Sequence, residues 1–288
     1  MTTNAPTLSH PLWLPDDVLP YPIRALGDDD ERIAFIDAGA GPVVLLVHVG
    51  MWSLLWRDLI TELAPAFRCI AVDAPATGFS GGRPDRHATL RTAAERLTRV
   101  IEYLDPADIH LVCHDLGGPS ALLAAGAWPD RIRTLTAVNT FAWRPSGVLL
   151  RGMLIAMGSS PIRGLDTATG LLPRLTTTRF GVGRHMDPRT RHAFRGGLDR
   201  RGRHSLHRYF QDAHRSDVWA QVDAALTTLA DRPISTVFGE HNDPLRFQPT
   251  WRKRFPQVTQ YIVPGGYHFP MCDAPGLVAQ AIRTLATP

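Results

Sequence analysis

The chain is short of the residues on which several protein classes depend. Among its 288 residues are only three cysteines, Cys69, Cys113 and Cys272. They are far apart and odd in number, which fits reduced thiols better than a disulfide framework. No C-x-x-C pair occurs, and no H-E-x-x-H lies among the twelve histidines. Neither a metal site nor a cofactor is therefore expected. No apolar run has the length of a membrane span. The opening residues, MTTNAPTLSHPLW, have no basic start and no apolar stretch, so a signal peptide is not expected and the cytoplasm is the expected location. Lysine is nearly absent. Arginine dominates the 31 cations, which outnumber 27 acids for a net charge of +4. Arginine is densest between 184 and 215, but no nucleic-acid motif accompanies it. It reads as a solvated helical face, and neither nucleic acid nor membrane is expected as a partner.

What remains is ordinary globular composition, 44% apolar and 20% charged. Short apolar runs alternate with longer helical patterns, the sign of a mainly parallel sheet with crossover helices. Strands are predicted over 33–37, 43–48, 68–73, 109–113, 134–139, 234–238 and 259–263. Several are continuously apolar, as strands covered on both faces are. Helices are predicted near 54–63, 89–104, 120–128 and 275–285. The rhythm breaks between about 141 and 231, where helical patterns continue without a buried strand. The expected organisation is a core made of 1–140 and 232–288, with a helical cap over 141–231. A cap over the carboxyl edge of a parallel sheet makes a substrate cavity.

The chemistry-bearing segment is Ile109-His110-Leu111-Val112-Cys113-His114-Asp115-Leu116-Gly117-Gly118. An apolar strand ends in a tight turn that opens a helix, which is the setting of the nucleophile elbow. Asp115 takes the central position, and Gly117 supplies the small residue that the bend requires. On this segment alone Asp115 is equally well read as a helix N-cap. Three further segments bear on the choice. Leu45-Leu46-Val47-His48-Val49-Gly50 ends a strand as an oxyanion loop does. Phe238-Gly239-Glu240-His241-Asn242-Asp243 puts an acid past a late strand. Gly265-Gly266-Tyr267-His268 puts a histidine past the last one. Nucleophile, acid and histidine stand in the chain order of an α/β-hydrolase triad.

With these residues in view, the chain resembles the α/β-hydrolase superfamily, in the branch that holds haloalkane dehalogenases and epoxide hydrolases. The family's His-Asp-x-Gly-Gly elbow matches His114-Asp115-Leu116-Gly117-Gly118. The resemblance runs from about residue 33 to the C-terminus and is weakest over 141–231. It implies a mostly parallel eight-stranded sheet flanked by helices. It also implies Asp115 as nucleophile, His268 as base and Asp243 as the acid behind it, with Glu240 as the fallback. Some relatives carry the acid one strand earlier, near Asn139 here, which is not acidic.

A carboxylate suits in-line displacement at an sp3 carbon, because it is anionic without the help of a base. The resulting alkyl ester would be hydrolysed by a water that His268 deprotonates. The backbone N–H of Leu116, with that of Gly50 or Met51, is expected to hold the oxyanion. For the leaving group, Trp52 and Trp143 are candidate halide donors. Tyr209, helped by His207, is the candidate acid for an epoxide oxygen. Leu116 stands where a dehalogenase of this branch carries an indole, which tilts the expectation towards an epoxide. The alternatives are C–halogen hydrolysis, or a non-catalytic member that binds a ligand. In each case the partner is a small, largely apolar organic molecule.

Overall fold

A computed structural model of the chain describes residues 5–287. Its sheet has nine strands: β1 (Thr7–Leu8), β2 (Ile23–Leu26), β3 (Ile33–Ala38), β4 (Val43–His48), β5 (Arg68–Val72), β6 (Ile109–Asp115), β7 (Ile132–Thr140), β8 (Ile234–Gly239) and β9 (Thr259–Val263). Their spatial order is β1-β2-β3-β5-β4-β6-β7-β8-β9. Strands β1, β2 and β3 pair antiparallel, as β3 does with β5, and every pairing from β5 through β4 to β9 is parallel. The seven strands read from the sequence lie within this sheet. The eight expected become nine, because the two short N-terminal strands extend its antiparallel edge.

The sheet is apolar on both faces for a reason visible in β4. Val43, Leu45 and Val47 point into one buried cluster, while Val44 and Leu46 point into the other. Strand β6 alternates likewise, with Leu111 and Cys113 on the first side and Val112 on the second. The flanking helices are stopped and started by local chemistry. Thr89 caps Leu90–Leu104 by accepting from Thr92 N–H at 3.0 Å, and Asp105 ends that helix in a left-handed turn at φ 44°.

Between β7 and β8 the described residues form helices only: Val148–Met157, Ser160–Thr169, Leu171–Thr176, Pro188–Gly196, Arg200–Arg215 and Trp219–Thr228, with a 3-10 turn at Val182–Arg184. Arg200–Arg215 is the inner one. Its Tyr209 hydroxyl donates to Pro75 O at 2.9 Å and its Ser205 hydroxyl to Ala76 O at 2.9 Å. Leu206 fills the space where a side chain on Gly50 would sit, 2.5 Å from that ideal Cβ. The helical segment is thus fastened onto the loops that follow β4 and β5, at the carboxyl edge of the parallel strands. Val148–Met157 and Ser160–Thr169 pack against it.

Beneath that edge lies a buried pair of imidazoles. His48 and His114 face each other in register across β4 and β6, with their Nδ1 atoms 2.9 Å apart. His114 Nε2 lies 2.7 Å from the carbonyl oxygen of His268. A carbonyl only accepts, so His114 carries its proton on Nε2 and leaves Nδ1 bare. His48 must then donate from Nδ1. The ring-to-ring bond exists only while His114 is neutral, because its Nδ1 must keep a lone pair to accept. Burial, together with the nearby His268, holds His48 down at about 3 and His114 well below the ordinary histidine value.

The consequence for stability has a definite sign. A histidine whose folded value is depressed stabilises fully above its ordinary value of 6.5, and that contribution is lost as pH falls towards 3. Buried Asp73, pushed up to about 6 by burial, acts in the opposite direction over part of the same window. The comparison must therefore be made against a His48 variant. Between pH 6 and pH 4 the native chain is expected to lose about 1.4 kcal/mol per pH unit more unfolding free energy than His48→Asn. Urea titrations across that window measure it, and parallel slopes would exclude a neutral buried His48.

Candidate active site

Asp115 is the last residue of β6 and turns the chain at φ 49°, in the left-handed region that a side chain rarely adopts. Such a conformation costs about 1–3 kcal/mol and persists only where the surroundings dictate it. They do so here by exclusion. A Cβ on Gly117 would lie 2.5 Å from Val47 O, and one on Gly118 would lie 2.1 Å from Thr140 Oγ1. The helix Gly117–Ala125 can therefore start only hard against β4 and β7. The Thr140 hydroxyl donates to Asp115 O at 2.6 Å and locks the bend from β7. Asp115 is not serving as a helix N-cap. No side chain caps this helix, and the residue before its first turn is Leu116.

The bend lifts the Asp115 carboxylate to face His268, with Oδ2 3.7 Å from Nε2. That is an ion-pair distance rather than a hydrogen bond. Burial pushes the carboxyl up, but His268, His114 and the N–H of Leu116 outweigh it and hold Asp115 below the ordinary aspartate value. It is anionic at neutral pH with no base to deprotonate it. Leu116 N–H thus meets the carboxylate. Gly50 takes φ 91°, and it and Met51 are buried in the loop after β4.

His268 is held through its main chain. Its carbonyl accepts from His114 and from Asn139 Nδ2 at 2.8 Å, and the same amide reaches Tyr267 O at 2.9 Å. Asn139 Oδ1 accepts from Gly239 N–H at 3.2 Å, which ties the loop after β9 to the ends of β7 and β8. Asn139, at φ 37°, is thus a clamp at the place where some relatives keep an acid.

The acid itself needs correction. Asp243 does not touch His268. Its two oxygens accept from Phe247 N–H at 2.5 Å and Gln248 N–H at 3.0 Å, which caps the helix Phe247–Arg254. Glu240 accepts from Gly265 N–H at 2.6 Å, so the fallback is spent on a turn. The group beside His268 Nδ1 is Asn242, at 3.2 Å. An amide can present either its oxygen or its NH2, so it can serve either tautomer of the ring. Unlike a carboxylate, it brings no charge to stabilise an imidazolium.

Three of the leaving-group candidates, Tyr209, His207 and Trp52, are also corrected. Tyr209 is fully buried and its one proton goes to Pro75 O. His207 is buried between Met157 O, 2.6 Å from Nδ1, and Asp166 Oδ2, 3.1 Å from Nε2, where it braces the helical segment internally. Trp52 donates from Nε1 to Phe194 O at 2.9 Å. Trp143 packs tilted and edge-on in an aromatic group with Phe141, Phe247 and Trp251, beside the helix that Asp243 caps. Each satisfies a contact made on folding. The residues that the sequence reading underrated are His48, His114, Asn139 and Asn242. The in-register ends of β4 and β6 were the available signal for the first two.

The chain matches a model described as the alpha/beta hydrolase family over residues 44–281. Haloalkane dehalogenase 2 of Mycobacterium tuberculosis is 30% identical over 159 residues, 52% of this chain and 54% of that one. The chain thus spans about half the length of the curated relatives it matches first. A cis-3-alkyl-4-alkyloxetan-2-one decarboxylase of Xanthomonas campestris is 26% identical over 274 residues, covering 87% of this chain and 91% of the relative. Among solved structures, a loop variant of the haloalkane dehalogenase DbeA from Bradyrhizobium elkanii superposes with a TM-score of 0.76 at 20% identity, over 92% of this chain and 96% of that one. The epoxide hydrolase CorEH superposes with a TM-score of 0.73 at 19% identity, over 91% and 97%. These likenesses establish the fold. With the family match running from β4 into the last helix, the chain belongs to the alpha/beta hydrolase family.

Proposed function

We propose that this chain is a hydrolase that opens a strained oxygen ring, an epoxide in the first instance, through an ester on Asp115. The observation that carries the reading is the ionised Asp115 carboxylate, raised on a left-handed bend and facing His268 at 3.7 Å. One Asp115 oxygen attacks a ring carbon, and the carbon–oxygen bond on the far side breaks. The ring oxygen leaves with the electron pair and takes a proton from water. His268 Nε2 then removes a proton from a second water, whose oxygen attacks the ester carbonyl while Leu116 N–H supports the oxyanion. Collapse expels the alcohol oxygen, which takes the proton back from His268 and frees the diol, and the Asp115 carboxyl gives its proton to the hydroxide left by ring opening, which restores the carboxylate. The helices between β7 and β8 act as the cap over this site.

Ring strain favours this substrate class. Tyr209 and Trp52 have both spent their donors elsewhere, so a departing group finds little stabilisation from either, and a strained ring expels its oxygen with the least help. A halide needs such donors, and apolar Leu116 follows the nucleophile directly. The dehalogenase relatives keep C–halogen hydrolysis as the second reading. The oxetanone named for the near-full-length relative is another strained oxygen ring.

A single turnover in 18O-labelled water, with a panel of epoxides and haloalkanes, should place label in the Asp115 carboxylate after one cycle. Asp115→Asn should abolish turnover. An active Asp115→Asn protein, with deamidation excluded, would contradict the covalent route. Asn242→Asp should speed ester hydrolysis by at least about ten-fold, because it supplies the charge behind His268 that the native amide lacks. The rate of ester formation should stay the same. Rapid-quench measurement separates the two steps, and an unchanged hydrolysis rate would remove Asn242 from the account.

A further inference from the structure

Nine of the twelve large apolar side chains exposed among the described residues fall within residues 148–180. Isolated exposed hydrophobics are ordinary, but a cluster of this kind marks an interaction surface. On the helix Val148–Met157, Leu150 and Leu154 face inward, while Val148 is 90% exposed, Leu149 65% and Ile155 50%. The next helices continue the pattern with Leu165 and Leu175, and Phe180 follows at 56%. Val148–Met157 and Ser160–Thr169 pack against Arg200–Arg215, and Phe180 meets Tyr267 edge-on.

The charge on this segment has one sign. Between Phe141 and Met186 the sequence holds six arginines and a single acid, Asp166. Asp166 is buried against His207 and the N–H of Leu172 and offers nothing to the surface. Arg144, Arg151, Arg174 and Arg179 are exposed on the same stretch. A second copy of this face would bring arginine against arginine, which disfavours self-association.

We propose that the outer face of residues 148–180 docks on an anionic phospholipid bilayer. Leu149, Ile155 and Leu175 enter the acyl boundary, and the arginines meet lipid phosphates. Helices that lie flat with apolar residues down and arginines at their flanks have the form of interfacial anchors. No helix among the described residues is long and apolar enough to cross a membrane. The attachment is therefore peripheral. The sequence alone gave no membrane partner, because in sequence these residues look like core, and only their exposure after folding sets them apart. The proposal is independent of the chemistry at Asp115.

Co-sedimentation of the full chain with sucrose-loaded vesicles tests it. One set is phosphatidylcholine alone and the other includes phosphatidylglycerol. Partition onto the anionic vesicles should exceed partition onto neutral ones by about ten-fold or more, and should fall with salt. Leu149→Ser/Ile155→Ser/Leu175→Ser should lower it about ten-fold with the circular dichroism retained. Arg151→Glu/Arg174→Glu, on exposed side chains, keeps the test alive should the triple variant fail to fold. Arg252→Glu/Lys253→Glu, at an exposed basic site elsewhere, should leave binding intact. Three results would overturn the proposal: no anionic preference, an equal loss from the Arg252 and Lys253 pair, or a dimer in sedimentation equilibrium that the serine variant dissolves while no lipid is bound.

Discussion

The site depends on one backbone constraint, the left-handed turn at Asp115. Two glycines let the following helix press against β4 and β7 where any Cβ would collide, and Thr140 ties down the Asp115 carbonyl. The strained conformation is bought by packing against the two neighbouring strands, β4 and β7. Its product is directional: a carboxylate at the carboxyl edge of the sheet, facing His268. A relaxed extended Asp115 would continue the strand and lose that direction.

A second set of contacts places the histidine. The bonds from His48 to His114 to the His268 carbonyl, together with the Asn139 clamp, fix the His268 main chain from the ends of β4, β6 and β7. Side-chain support is weaker, because Asn242 gives the ring a partner without giving it a charge. In the proposed cycle the nucleophile is therefore better equipped than the base. That imbalance makes ester hydrolysis the slow half of the proposed cycle.

Much of this architecture was legible. Continuous runs such as Val43–His48 are strands whose two faces are both covered. Thr7–Leu8 and Ile23–Leu26 were missed because they are short, and prolines crowd the second. Asp115 and His268 were legible from a local turn signature and from chain order. Asp243 misled for a physical reason. An aspartate after a strand and before a helix looks the same whether it backs a histidine or caps the helix, and here it caps. The ambiguity weighed at Asp115 was resolved at Asp243 instead. Tyr209, His207 and Trp52 were illegible because their partners Pro75, Asp166 and Phe194 are far away in sequence.

The central claim is that Asp115 becomes covalently bonded to the substrate carbon, and intact-protein mass spectrometry of His268→Gln exposed to an epoxide addresses it most directly. The account predicts a mass gain equal to the whole epoxide, since ring opening expels nothing, with the fragment ions placing it on Asp115. An unmodified protein, or an adduct carried by another residue, would contradict it.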